Sequence, residues 1–182
     1  MSYLGVHFAL SNEDVVNIRA LSDEQERLSY LQEEIEERYL VEPVTYAAES
    51  DKAWDAMHRA LTDGRLTWDG GTYPLNHVVL AGELLYTEDD YIMSLKSPAQ
   101  VRDITSELEK ITKESFRKRY LSISPSEYGM AVSDEDFSYT WEWFENVRQL
   151  YRRAAAENLH VLFTADQSVS YTHLTLPTKR IV

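Results

Sequence analysis

Apolar positions along this chain recur with two periods, two residues and three to four, and the switches between them outline an α/β architecture. Leu4, Val6, Phe8 and Leu10 alternate with small or polar residues, which predicts an opening strand. Ser11 follows as a helix cap, with Glu13 and Asp14 placed to favour the positive end of the helix dipole. A short helix to about Ala20 is expected. Ser22 and Gln25 then form a capping box, and Leu28, Leu31 and Ile35 predict a second helix to about Arg38 or Tyr39. Pro43 stops it, leaving Val44 to Tyr46 as a short extended piece.

The sharpest pattern runs from Ser50 to Gly64. Ser50 is placed as a cap, Trp54, Met57, His58 and Leu61 share one helical face, and Gly64 closes the C-terminus. Trp68 to Thr72 carries turn chemistry. Leu75 to Leu80 is apolar enough for a central strand, and Ala81 to Tyr86 continues in extended or loop form. Tyr91 to Leu95 reads as another strand. Ser97-Pro98 starts a helix with Val101, Ile104, Leu108 and Ile111 as its buried stripe. A short helix from about Lys113 to Tyr120 follows, then a loop from Ile123 to Ser133. The last long helix buries Trp143, Phe144, Val147, Leu150, Tyr151, Ala154 and Ala155, with Trp141 at its edge, and His160 to Thr164 is the closing strand. The sum is a single α/β domain, a mixed central sheet of about four strands flanked by about five helices.

Composition narrows the class. At 182 residues, with 43% hydrophobic and 27% charged side chains, the chain is an ordinary globular domain with one sizeable core. It has no cysteine, which excludes thiol catalysis, disulfides and thiolate metal sites. No apolar run approaches the roughly 18 residues of a membrane span. Met1 to Gly5 has neither a basic region nor a long apolar one, so no secretory signal is expected and the expected location is the cytoplasm. A net charge of −13 argues against nucleic acid and against anionic membrane surfaces as partners, while it permits steering toward a basic protein.

Val169 to Thr178 resembles the translation of a sequencing-library adapter, so residues 1–168 are taken as the domain and 169–182 as a non-native tail, expected to be disordered. Setting aside Lys179 and Arg180, its two charged residues, leaves 16 basic against 31 acidic side chains, a balance of −15 rather than −13.

Candidate chemistry centres on His58. Asp55 is close enough in sequence to orient it as a general base, and His77, Glu83 and Tyr86 would join it if the helix packs across the neighbouring strand's end. A packed, hydrogen-bonded histidine satisfies the same pattern. His58, His77 and Glu83 or Asp55 are zinc-ligand types, yet no H-E-x-x-H spacing enforces a site, and no metal or other cofactor is expected. Neither a phosphate-binding glycine loop nor a G-x-S-x-G elbow is present, and Glu88-Asp89-Asp90 lacks the ligand spacing of a calcium loop. The dense acidic run Glu33, Glu34, Glu36 and Glu37 is either a solvated face or a docking surface for a basic partner. The basic patch Lys113, Arg117, Lys118 and Arg119 is expected to pair with acids of the same molecule. Two functions stay open: a non-enzymatic acidic binding protein, such as one that neutralises a basic toxin domain, and a small enzyme with a His58, Glu83 and Tyr86 pocket.

Asp51-Lys52-Ala53-Trp54, with His58, Leu61, Thr62 and Gly64, then Pro74-Leu75 and Val79-Leu80-x-Gly82-Glu83, resembles the YfbM-like family of uncharacterised bacterial proteins. The resemblance extends over about Met1 to Gln167 and departs where the family often has a second glycine and this chain has Ala81. It implies one α/β domain with helices around a central sheet, and it implies no established activity.

Overall fold

The computed structural model describes residues 4–167; the expected tail at 169–182 lies outside them. Five strands form one sheet in the order β2-β1-β5-β4-β3. They are β1 (Gly5–Leu10), β2 (Ala47–Asp51), β3 (Glu83–Leu84), β4 (Tyr91–Lys96) and β5 (His160–Asp166). Every pairing is antiparallel. This is the expected α/β domain, with one strand more than expected and no parallel pair. The helical connections return the chain in opposite directions, and β5, last in sequence, inserts between β1 and β4.

Helices cover both faces of the sheet, so strand residues of both parities are buried. On one face α4 (Trp54–Leu61), α5 (Pro98–Leu108), α6 (Lys113–Leu121) and α8 (Asp134–Ala156) pack with Ala9, Ile92, Val161 and Phe163. On the other, α1 (Asn12–Ala20) and α2 (Glu24–Tyr30) pack with Phe8, Leu10, Met93, Leu95 and Leu162. After α2 the chain makes a π-helical turn, Leu31–Ile35, and then α3, Glu36–Tyr39. Leu31 and Ile35 are fully buried there, and the wider turn leaves Gln32, Glu33 and Glu34 exposed between them. A short α7, Pro125–Tyr128, interrupts the loop expected over 123–133.

Three local expectations are corrected. Asp23, not Ser22, caps α2, its carboxylate accepting from Gln25 N at 2.9 Å. Leu75 to Leu80 is no strand: a 3-10 turn at Leu75–His77 is followed by further turns. Ser50 does not cap α4 but lies in β2, where its hydroxyl donates to Gly5 O at 3.3 Å. Asp51 then turns the chain at a φ of 50°, and Ala53 stands at the helix start without a side-chain cap. The expected apolar face of α4 forms, with Trp54, Met57, His58 and Leu61 all buried. Gly5 is fitted to this packing, because a Cβ there would lie 2.6 Å from Trp54 Cδ1.

Candidate functional site

His58 is 1% exposed and its Nε2 lies 2.8 Å from Thr67 O, so that nitrogen carries the hydrogen. Burial lowers its pKa to about 4, which keeps the ring neutral. Asp55 does not orient it. That carboxylate accepts from Arg59 Nε at 2.6 Å, and burial raises its pKa despite the arginine. His77 is half-buried, with Nδ1 2.8 Å from Asn76 Oδ1 and its ring edge-on to Tyr73. Glu83 is exposed and paired with Arg19 at 2.6 Å. Tyr86 packs on the other face of the sheet from α4, accepting from Gln25 Nε2 at 3.0 Å and donating to Asp90 at 2.7 Å. The structure therefore distributes these five residues among separate partners. Among the described residues, no group of three or more His, Asp or Glu side chains is arranged to hold a metal ion.

What does converge beside α4 is a set of side chains that pattern reading passed over. Three successive carbonyls, Val78 to Leu80, point at the sheet, and each is taken by a side chain. Tyr151 OH donates to Val78 O at 2.8 Å, and His7 Nε2 lies 2.8 Å from the same oxygen. Lys96 Nζ donates to Val79 O at 2.6 Å, and Ser94 Oγ donates to Leu80 O at 2.7 Å. Lys96 also reaches Ser94 O and Oγ, at 3.2 and 3.1 Å. Burial holds its amine well below the ordinary lysine range, and lowers the His7 imidazole to about 3. These bonds replace the strand ladder that residues 78–80 lack and satisfy the three buried carbonyls, while His7 Nδ1 is left without a hydrogen-bond partner. Gly82 completes the fit: its φ is 152°, and a Cβ would stand 2.7 Å from both Leu95 O and Ser94 Oγ. With every group at 0% exposure or locked in a bond, the cluster is a clamp for the 75–82 segment and offers no access to a substrate.

The acidic run occupies a different place. Glu33, Glu34 and Glu37 are exposed, and among the described residues no ion pair reaches them. Glu36 is half-buried and accepts from Tyr91 OH at 3.1 Å. Burial raises its carboxyl above the usual range, and the charges of Asp166 and Glu37 add to the rise, outweighing the Tyr91 bond. The loop carrying a second acidic run, Glu88-Asp89-Asp90, docks on the start of α2. Thr87 donates through N and Oγ1 to Glu24 at 2.6 and 2.5 Å, while Asp90 O accepts from Gln167 N at 2.8 Å. Of the basic patch on α6, Arg117 pairs within the molecule, with Asp134 at the start of α8 at 2.6 Å.

The model of a domain of unknown function, DUF1877, matches residues 1–164. The chain belongs to the DUF1877 family. A crystal structure of YfbM from Escherichia coli, a protein of unknown function, superposes with a TM-score of 0.62 at 23% identity, covering 89% of this chain and 99% of that one. No curated protein matches the chain. Read as a DUF1877 domain, the chain uses its resemblance-bearing residues as framework: Trp54 packs on Gly5 and Phe163, Thr62 donates to His58 O at 2.7 Å, and Gly82 seats the clamp.

Proposed function

We propose that this protein acts by binding rather than by catalysis, its acidic face engaging a basic protein partner in the cytoplasm. The observation that supports this reading is the merging of acids distant in sequence. Glu36 and Glu37 lie beside Asp166 at the end of β5, and the loop before Asp90 docks on Glu24 at the start of α2, so acids from three parts of the chain line this side of the molecule. Close carboxylates repel one another and raise the free energy of the unbound surface, so a basic partner relieves repulsion as well as gaining attraction. The overall negative charge steers such a partner in and disfavours phosphate backbones and anionic lipid. The alternative enzyme built on His58, Glu83 and Tyr86 has no such support, because each of the three is engaged elsewhere.

The test is capture of basic proteins from a bacterial lysate at low and high salt, using the wild-type chain and a variant with Glu33, Glu34 and Glu37 changed to Gln. A basic protein held at low salt, released at high salt and absent with the variant supports the reading. Capture that is indifferent to both salt and variant ends it.

A further inference from the structure

On the opposite flank of α3 an open pocket of about 510 Å³ lies between β1, the 40–46 loop and the turn from α8 into β5. Its volume falls in the range of small-molecule sites, about 300–1,000 Å³. Two polar stations stand on its walls. At one, Arg38 is held by the buried Asp14, which accepts from its two terminal nitrogens at 2.6 and 3.3 Å and from Tyr39 OH at 2.6 Å. Asp14 takes one N–H from each terminal nitrogen, leaving three of the guanidinium's five donors, and the side chain is 49% exposed. At the other station Tyr46 OH donates to Glu157 at 2.9 Å, with Arg153 stacked over the Tyr46 ring at 5.6 Å. Apolar surface from Val41 and Leu159 lines the pocket with them.

We infer that this pocket binds a free apolar amino acid as its zwitterion, the carboxylate on Arg38, the ammonium on Glu157 and the side chain on Val41 and Leu159. The charges select this class. A simple carboxylate would meet repulsion from Glu157 and a simple amine repulsion from Arg38, whereas a zwitterion sets an opposite charge against each. Asp14 and Tyr39 fix the arginine before the ligand arrives, which lowers the ordering cost of binding.

Amide NMR titration of the full chain with L-phenylalanine, L-phenylalaninamide and N-acetyl-L-phenylalanine tests this. The expected result is saturable shifts at the pocket residues with L-phenylalanine and about tenfold or weaker binding of each derivative, since each loses one charged contact. Glu157→Gln, on an exposed turn, should weaken the amino acid and the amide and spare the acetylated form. Arg38→Gln should weaken the amino acid and the acetylated form and spare the amide. Should Arg38→Gln fail to fold, Val41→Trp, which fills the pocket from an exposed position, should abolish all three titrations while the protein keeps its melting temperature. No saturable shift at about 20 mM amino acid, far above a millimolar affinity, or equal binding of all three compounds, overturns the inference.

Discussion

Replacing His58 by glutamine distinguishes a packed histidine from a catalytic one and gives the clearest number. The folded pKa is about 4 against 6.5 for the unfolded chain, and burial is the leading cause. The unfolded state therefore binds the proton more readily. The stability due to the neutral ring is complete above pH 6.5 and is lost as pH falls toward 4. At 1.36 kcal/mol per unit of pKa, the loss from this one group amounts to about 3 kcal/mol at the acid end. Glutamine can offer an N–H to Thr67 O, but it cannot titrate and does not fill the ring's space, so the variant should be about 1–3 kcal/mol less stable at pH 7. Urea unfolding of both proteins at intervals from about pH 7.5 to pH 4 reads the difference directly, since other titrating groups, His7 included, cancel in the comparison. The gap should close as pH falls. Parallel stability profiles would refute the desolvation argument, and an unchanged stability at pH 7 would refute the structural role.

Other substitutions test the clamp and its surroundings. Gly82→Ala, at a φ of 152° and against Leu95 O, should cost about 2–4 kcal/mol in denaturant unfolding, with a loss near the ordinary Gly-to-Ala effect counting against the steric account. Tyr151→Phe should cost only about 1 kcal/mol, because Val78 O keeps its bond to His7, and amide exchange over residues 78–82 should quicken while that of β1 does not. Asp14→Asn should cost about 2–3 kcal/mol at pH 7. Burial by itself would raise the Asp14 carboxyl, yet the bonds from Arg38, Tyr39 and Tyr30 hold it below the usual range, so wild-type stability from this group is present at neutral pH and lost on acidification, and the variant should lack that part of the acid limb.

Strands β1, β4 and β5 and the start of α5 were legible because their signals are local. Alternation marks β1, and Ser97-Pro98 forms the full capping box with Gln100. The segment Ala47–Asp51 escaped because Ala-Ala-Glu-Ser-Asp has no β-branched or aromatic residue, and only pairing with β1 makes it a strand. Leu75 to Leu80 misled for the opposite reason. It is apolar as a central strand would be, but its carbonyls bond to side chains from β1, β4 and α8 in place of a neighbouring backbone.

Sites were harder to read than elements. His58, Glu83 and Tyr86 lie near one another in sequence, yet the sheet separates His58 from Tyr86, and Arg19 claims Glu83. Lys96 and Arg38 gave no signal, since a lone basic residue in sequence reads as solvated. The strict parity of β4, with Ile92, Ser94 and Lys96 on one face, was the available clue that Lys96 points inward. The acidic run was visible, but the approach of Tyr91 and Asp166 to Glu36 depends on contacts across more than 50 residues.

The central claim is that the acidic face along α2 and α3 is an interaction surface, and a charge-matched comparison tests it most directly. One variant carries Glu33→Gln, Glu34→Gln and Glu37→Gln; the other carries Glu49→Gln, Glu114→Gln and Glu142→Gln, three exposed acids elsewhere, so both have the same net charge. Affinity for the basic protein captured by the wild-type chain is then measured against salt. The expected result is a steep salt dependence that the first variant loses together with most of its affinity, while the second keeps both. Equal weakening in the two variants would reduce the effect to overall charge and contradict a defined acidic face.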